Sequence, residues 1–390
     1  MRTPSDVPSR VANPRSRRLR WWIVGGVLVL IILLGSLRSL AGLYTDRLWY
    51  ASVGFPRVWS TILAVKVGLF ASFGAAFFVA LWVNLVICDR IAAHSLPTDS
   101  GDDIVRRYQR VVRPYAGRVC AVLALGIALI AAATTIGQWN NWLLFTHATS
   151  FPQKDPQFGL NDGFFVFRLP FLQFLVDWIL ASLVVVLVLT ALFHYLNGGI
   201  RPRGTPHVSA AVKVHLSVLL ALVALAKAAG YTLSRYSLDL STNGYVEGAG
   251  YTDVHARLPA LDILFFVSLF AAAILLYNIR RQGWTMPVLA VGVWGFVALV
   301  IGVIYPAVLQ AIKVNPAQSK LEGPYIARNI KATRYAYGLD HVKVSSYPDT
   351  TVVTSATVDA NLTTLSNVRL WDPSSTISLA DFRTKQDISS

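Results

Sequence analysis

Five ionisable side chains interrupt otherwise apolar runs of this 390-residue chain: Arg38, Lys66, Asp177, Lys227 and Asp262. Charge at membrane depth is costly, so such residues are rare there and are functional candidates wherever they occur. Acids and bases together can pair, hold a polar head group or relay protons. A relay needs groups at several depths. These five instead lie at similar distances from the same set of run ends, which predicts a polar pocket in one leaflet with Asp177 and Lys227 as its ion pair. A second reading stays open: long side chains reach back to the surface, and acids pair locally to orient helices.

Other reactive types are sparse. His194 and His215 lie near the opposite run ends. Two histidines without a nearby carboxylate or cysteine are not a metal site, so none is expected there. Cys88 and Cys120 read as small buried apolar side chains. Asp155, Asp162, Asp253 and His255 are acid–base candidates in connecting segments, but no motif joins them. Asp253 and His255 are too few for a metal claim. No catalytic, cofactor-binding or metal-binding residue is assigned, and the chain is expected not to be an enzyme.

Seven apolar stretches position these residues: about 21–43, 61–88, 119–136, 171–196, 214–230, 258–279 and 286–311. A bilayer core takes about 20 apolar residues per helical span. Charged residues make up 14% of the chain, and hydrophobic ones 54%; soluble domains carry about 25% charge. The fold class expected is an all-α polytopic membrane protein built as a seven-helix bundle. The 214–230 stretch is the weakest because it holds His215 and Lys227.

Lys and Arg alternate between connections. The tail 1–20 holds six, segment 89–118 six, segment 197–213 three, and Arg280 and Arg281 follow the sixth stretch. Connections 44–57, 137–170 and 231–257 hold two each. Basic connections stay in the cytoplasm, so the N-terminus is expected inside and the C-terminus outside. The net charge of +15 then reflects topology and contact with anionic lipid, not nucleic acid. Cys88 and Cys120 fall on the cytoplasmic side, where a disulfide is not expected. The five charges fall in the outer leaflet. Trp21, Trp22, Trp59, Trp139, Trp142, Trp178 and Trp284 mark the interfaces. Segment 138–145 reads equally as a surface helix or an extension of the third span.

Segment 312–390 is expected to be a small α+β outer unit. Ser319 and Glu322 have capping-box spacing, predicting a helix through Tyr337 that stops at Gly338. Val342–Val344 and Thr351–Val358 read as short strands.

Five segments together resemble one family: Leu48-Trp-Tyr-Ala-Ser-Val-Gly-Phe55, the Asp155–Phe171 connection, Gly248–Ala260, Ala327–Leu339 and Asn367-Val-Arg-Leu-Trp-Asp-Pro373. The chain resembles a family of large, uncharacterised membrane proteins found mainly in actinobacteria, including mycobacteria. The resemblance implies seven N-terminal spans followed by a large extracytoplasmic region, with no established catalytic residues. It also implies a truncated member, because that region continues far beyond the position of Pro373. The function expected is a non-enzymatic cell-envelope scaffold that binds a partner protein. The alternative is transport or handling of a lipid or envelope precursor through the outer-leaflet pocket.

Overall fold

The computed structural model describes residues 14–93, 105, 108, 115–201, 207–243, 246–281, 283–346 and 353–367. The chain divides into two units, residues 1–331 and 332–390.

In the first unit the apolar stretches form helices. They are α1 (Pro14–Ser52), α2 (Pro56–Ala93), α3 (Ala116–Ala133), the short α4 (Trp139–Thr146), α5 (Leu169–Leu196), α6 (Ala210–Ser237), α7 (Leu258–Arg281) and α8 (Thr285–Leu299). Local chemistry sets their starts. Pro170 occupies the first turn of α5, where no N–H is needed. The Ser209 side chain accepts from the Val212 N–H to cap α6. Helix α4 follows a 3-10 turn at Ile136–Gln138, and its Trp142 and Phe145 rings lie 5.1 and 5.2 Å from Phe171.

Among the described residues, six helices are long and apolar enough to cross a membrane. Helix α1 covers the first expected span, but the side chains of 14–25, 28, 29 and 31–34 fall outside the described residues.

The helices pack in a row. α2 contacts α1, α3 and α5; α5 packs on α6, α6 on α7, and α7 on α8. Small residues make the close contacts. On α3, Ala116, Cys120, Ala124, Ala128 and Ala132 are all buried at a spacing of four, which is one face of a helix. A Cβ added at Gly74 of α2 would meet the Ala132 Cβ at 3.1 Å. A second alanine-rich seam joins Ala221 and Ala224 of α6 to Ala271 and Ala272 of α7. Phe77, Leu81 and Leu85 of α2 are buried with Ala124 and Ala128 of α3, but many large apolar side chains face outward: Val122 is 71% exposed, Phe270 68% and Ile312 73%. Small residues inside and large apolar residues outside is the packing of helices surrounded by lipid, where close backbone approach replaces the hydrophobic drive.

The seventh stretch does not end at Ala311. Helical structure continues from Thr285 to Ala336, 52 residues. At 1.5 Å per residue this is about 78 Å, more than twice a bilayer core of about 30 Å. The path is irregular: π turns at Val300–Ile304 and Gln310–Val314 flank α9 (Tyr305–Leu309), and a 3-10 turn at Asn315–Ala317 leads into α10 (Gln318–Ala336). Pro306 and Pro316 lie in this stretch and lack the N–H that would complete an α-helical ladder. Ser319 therefore does not start a helix. Gly338, at φ 66°, ends α10 in the left-handed conformation open to glycine.

In the second unit the expected strands are absent among the described residues. Val342–Val344 has no regular structure, and Thr354 caps the helix α11 (Ser355–Ala360), followed by α12 (Leu362–Ser366). A threonine hydroxyl on the Thr357 N–H outweighs the strand preference of Val358 and its neighbours. Residues 351 and 352 of the second expected strand lie outside the described residues. Strand pairing among the described residues is limited to two two-residue ladders, β1 (Ile200–Arg201) with β2 (His207–Val208) and β3 (Thr242–Asn243) with β4 (Val246–Glu247), and one isolated antiparallel bridge between Lys154 and Asn161.

Candidate functional site

Of the four π turns among the described residues, Phe164–Arg168 leads into α5 and Asp253–Arg257 opens into α7. The latter and the two π turns around α9 border one open cavity of about 820 Å³. Each π turn inserts a residue into a helix, and such bulges are frequent at functional sites. The volume falls in the range of small-molecule sites.

Two kinds of surface line it. Val303, Pro306, Ala307, Ala311 and Ile326 give an apolar wall. A connected polar set faces it. The buried Thr252 hydroxyl donates to Gln310 Oε1, and Gln310 Nε2 donates to Asn315 Oδ1 at 2.9 Å. Gln310 thus ties the loop before α7 to the irregular helix, and both ends of its amide are used. The Tyr251 N–H donates to Glu322 Oε2 at 3.0 Å. Asp253, 2% exposed, accepts from the Gly250 N–H at 2.9 Å and from Arg257 NH1 at 2.7 Å. A buried carboxylate is tolerable only with such donors. Gly248, at φ 108°, allows the chain to turn into this loop.

Neighbouring contacts hold the rim. Tyr251 stacks on His255 with ring centroids 4.0 Å apart, and Lys313 Nζ lies 5.3 Å from the Tyr251 ring centre. Arg328 donates to Gln157 Oε1 at 2.9 Å and Asn329 to the Glu247 carbonyl at 2.7 Å. The middle of α10 is therefore fastened to the 147–163 and 238–252 loops.

The sequence candidates are dispersed. Arg38 is on an exposed face of α1. Lys66 Nζ lies 5.5 Å from the Trp139 ring centre, and Lys227 Nζ 5.1 Å from that of Tyr231. Asp262 pairs with Arg235 at 3.0 Å. Asp177 is exposed beside a small crevice with Gln173, Gly230 and Ser234. The expected Asp177–Lys227 ion pair does not form; the Tyr231 face takes the Lys227 ammonium instead. None of the five borders the large cavity.

The acid–base candidates have structural partners. Asp155 accepts from the N–H groups of Gln157 and Phe158, closing a turn. Asp162 begins the segment entering α5; burial and then the nearby Asp155 carboxylate raise its pKa. Asp253 is buried while His255 is exposed, so the two do not act on one point. Sequence reasoning missed Thr252, Gln310 and Glu322. Gln310, a polar residue ending an apolar run beyond Pro306, was the available signal.

Six helices fit to cross a membrane, with small residues at their seams and a cavity at one loop end, define a helical protein with the build of an integral membrane protein. The chain belongs to the uncharacterised protein family UPF0182, whose profile matches residues 22–389. It is 40% identical over 353 residues to a UPF0182 protein of Frankia casuarinae, covering 90% of this chain and 35% of that one. To a relative from a Nocardioides species it is 37% identical over 372 residues, covering 95% and 37%. For the Streptomyces coelicolor protein the values are 34% over 379 residues, 95% and 38%. The chain thus spans about a third of the length of the curated relatives it matches. No solved structure matches it.

Proposed function

We propose that this chain is a non-enzymatic, multi-pass protein of the cytoplasmic membrane that binds a lipid or envelope precursor at its outer face. The cavity bordered by the π turns Asp253–Arg257, Val300–Ile304 and Gln310–Val314 carries this reading. Its apolar wall suits an acyl or prenyl chain, and Thr252, Gln310, Asn315 and Glu322 offer hydrogen bonds to a polar head. In this reading α1 is the first of seven spans. The basic connections put the N-terminus inside and the cavity and C-terminal segment outside. The site differs from the five-residue polar cluster, in which Lys66, Lys227 and Asp262 meet local partners and Arg38 and Asp177 are exposed.

Native mass spectrometry of the protein extracted gently from its own membrane tests this. A stoichiometric lipid or precursor adduct is expected, lost in Ala307→Trp, which fills the cavity, and kept when Lys227 is neutralised. A co-purifying protein subunit with no small adduct would replace this reading with an envelope scaffold.

A further inference from the structure

Near the opposite end of α6 from the cavity, three helices bring together side chains that lie far apart in sequence. Cys88 of α2, His194 of α5 and His215 of α6 place a thiol sulfur and two ring nitrogens within 4.8 Å of one another. We propose that these three residues form a binding site for a late first-row transition ion of the Zn2+ class.

The spacing fits. Cys88 Sγ is 3.5 Å from His194 Nε2, and His194 Nε2 is 3.0 Å from His215 Nδ1. Tetrahedral coordination at ordinary Zn–S and Zn–N lengths separates sulfur from nitrogen by about 3.6 Å and nitrogen from nitrogen by about 3.3 Å. Both edges are within a few tenths of an ångström of that geometry before any ion is added. Thiolate with imidazole is also the donor set that selects Zn2+ or copper over Mg2+ or Ca2+.

A supporting residue orients one ligand. Asn84 Nδ2 donates to the Ala80 carbonyl at 2.7 Å, which turns Oδ1 toward His215 Nε2 at 3.1 Å. An amide oxygen only accepts, so His215 carries its proton on Nε2 and presents a bare lone pair at Nδ1. Holding a ligand histidine by its second nitrogen is the usual arrangement around metals. Cys88 and His194 are buried, at 0% and 1% exposure. One turn before His194, the Thr190 hydroxyl is buried without a hydrogen-bond partner among the described residues.

Proton balance is simple. Without the ion, the Cys88 thiol faces the Thr190 carbonyl and His194 Nε2–H donates to His215 Nδ1. Binding moves the His194 proton to its Nδ1 and releases the Cys88 proton, one H+ per ion. Affinity therefore falls as pH drops. Three protein ligands leave the fourth position for water or an exchangeable ligand. The ion would cross-link α2, α5 and α6.

The test uses the full chain, purified in detergent and stripped with a chelator. Equilibrium dialysis should give one Zn2+ per chain, and Co2+ should produce thiolate-to-metal charge-transfer absorption. Cys88→Ala should abolish that absorption, and Cys120→Ala, in the same apolar cluster, should keep it. Asn84→Leu should weaken Zn2+ binding by about 10- to 100-fold, as losses of supporting partners do. Wild-type protein with no Co2+–thiolate absorption would overturn the site whether or not the variants fold. So would stoichiometric Zn2+ that survives the Cys88→Ala, His215→Ala double change, or absorption that depends on Cys120 alone.

Discussion

The link between Thr252 and Gln310 can be measured by a double-mutant cycle. Thr252 is 5% exposed and its hydroxyl donates to Gln310. Gln310→Leu keeps the bulk and removes the acceptor, stranding that hydroxyl, which costs about 1–3 kcal/mol. Thr252→Val removes the donor. Gln310 borders the open cavity and its oxygen can take up water, so this change should cost about 0.5–1.5 kcal/mol. The double variant strands nothing on the Thr252 side. It should recover about 1 kcal/mol relative to the sum of the single losses, within the range for residues in one hydrogen-bond network. The assay is reversible unfolding of the full chain in mixed micelles, followed by tryptophan fluorescence. Single losses that simply add would refute the claim that this bond joins the π turn of Asp253–Arg257 to that of Gln310–Val314.

Other outcomes follow from the same contacts. Gly74→Leu should destabilise the α2–α3 seam by about 1–3 kcal/mol, as overpacking does, whereas Gly126→Leu on α3, where a Cβ meets nothing within 4 Å, should be near neutral; unfolding of both variants decides. Asp162 has a raised pKa, so its folded form holds the proton more tightly than the unfolded form does. Its contribution is present below the ordinary carboxylate pKa and is lost as pH rises through the raised value. Hydrogen exchange in 147–163 should therefore slow as pH falls through that window, after correction for intrinsic exchange, and Asp162→Asn should flatten the trend. Reporters fused after Gly101, Gly248 and Ser390 should read inside, outside and outside; a cytoplasmic signal at Ser390 would sink the seven-span topology.

The helices were legible in the sequence because the apolar runs are close to or longer than a bilayer core and are bordered by stop and start signals such as Pro170 and Ser209. Their seams were legible in part, through the four-residue spacing of Ala116 to Ala132. The ends of irregular helices were not. Ala311 closes an apolar run, yet the backbone continues to Ala336, because hydropathy marks the edge of a span and not the end of a helix. Thr351–Val358 carried strand-forming residues, but one threonine cap decided a helix.

Side-chain partners were hidden for a different reason. Lys227 could have met Asp177 across a seam, but a ring one turn away on its own helix was nearer. Sequence alone established a chain of membrane-crossing composition with basic connections and few reactive groups, since those properties are local. Only the tertiary structure decided which distant residues meet: Thr252 with Gln310, and Cys88 with His194 across 106 positions. Such meetings depend on helix rotation and register, which the packing of small residues sets and which hydropathy does not record.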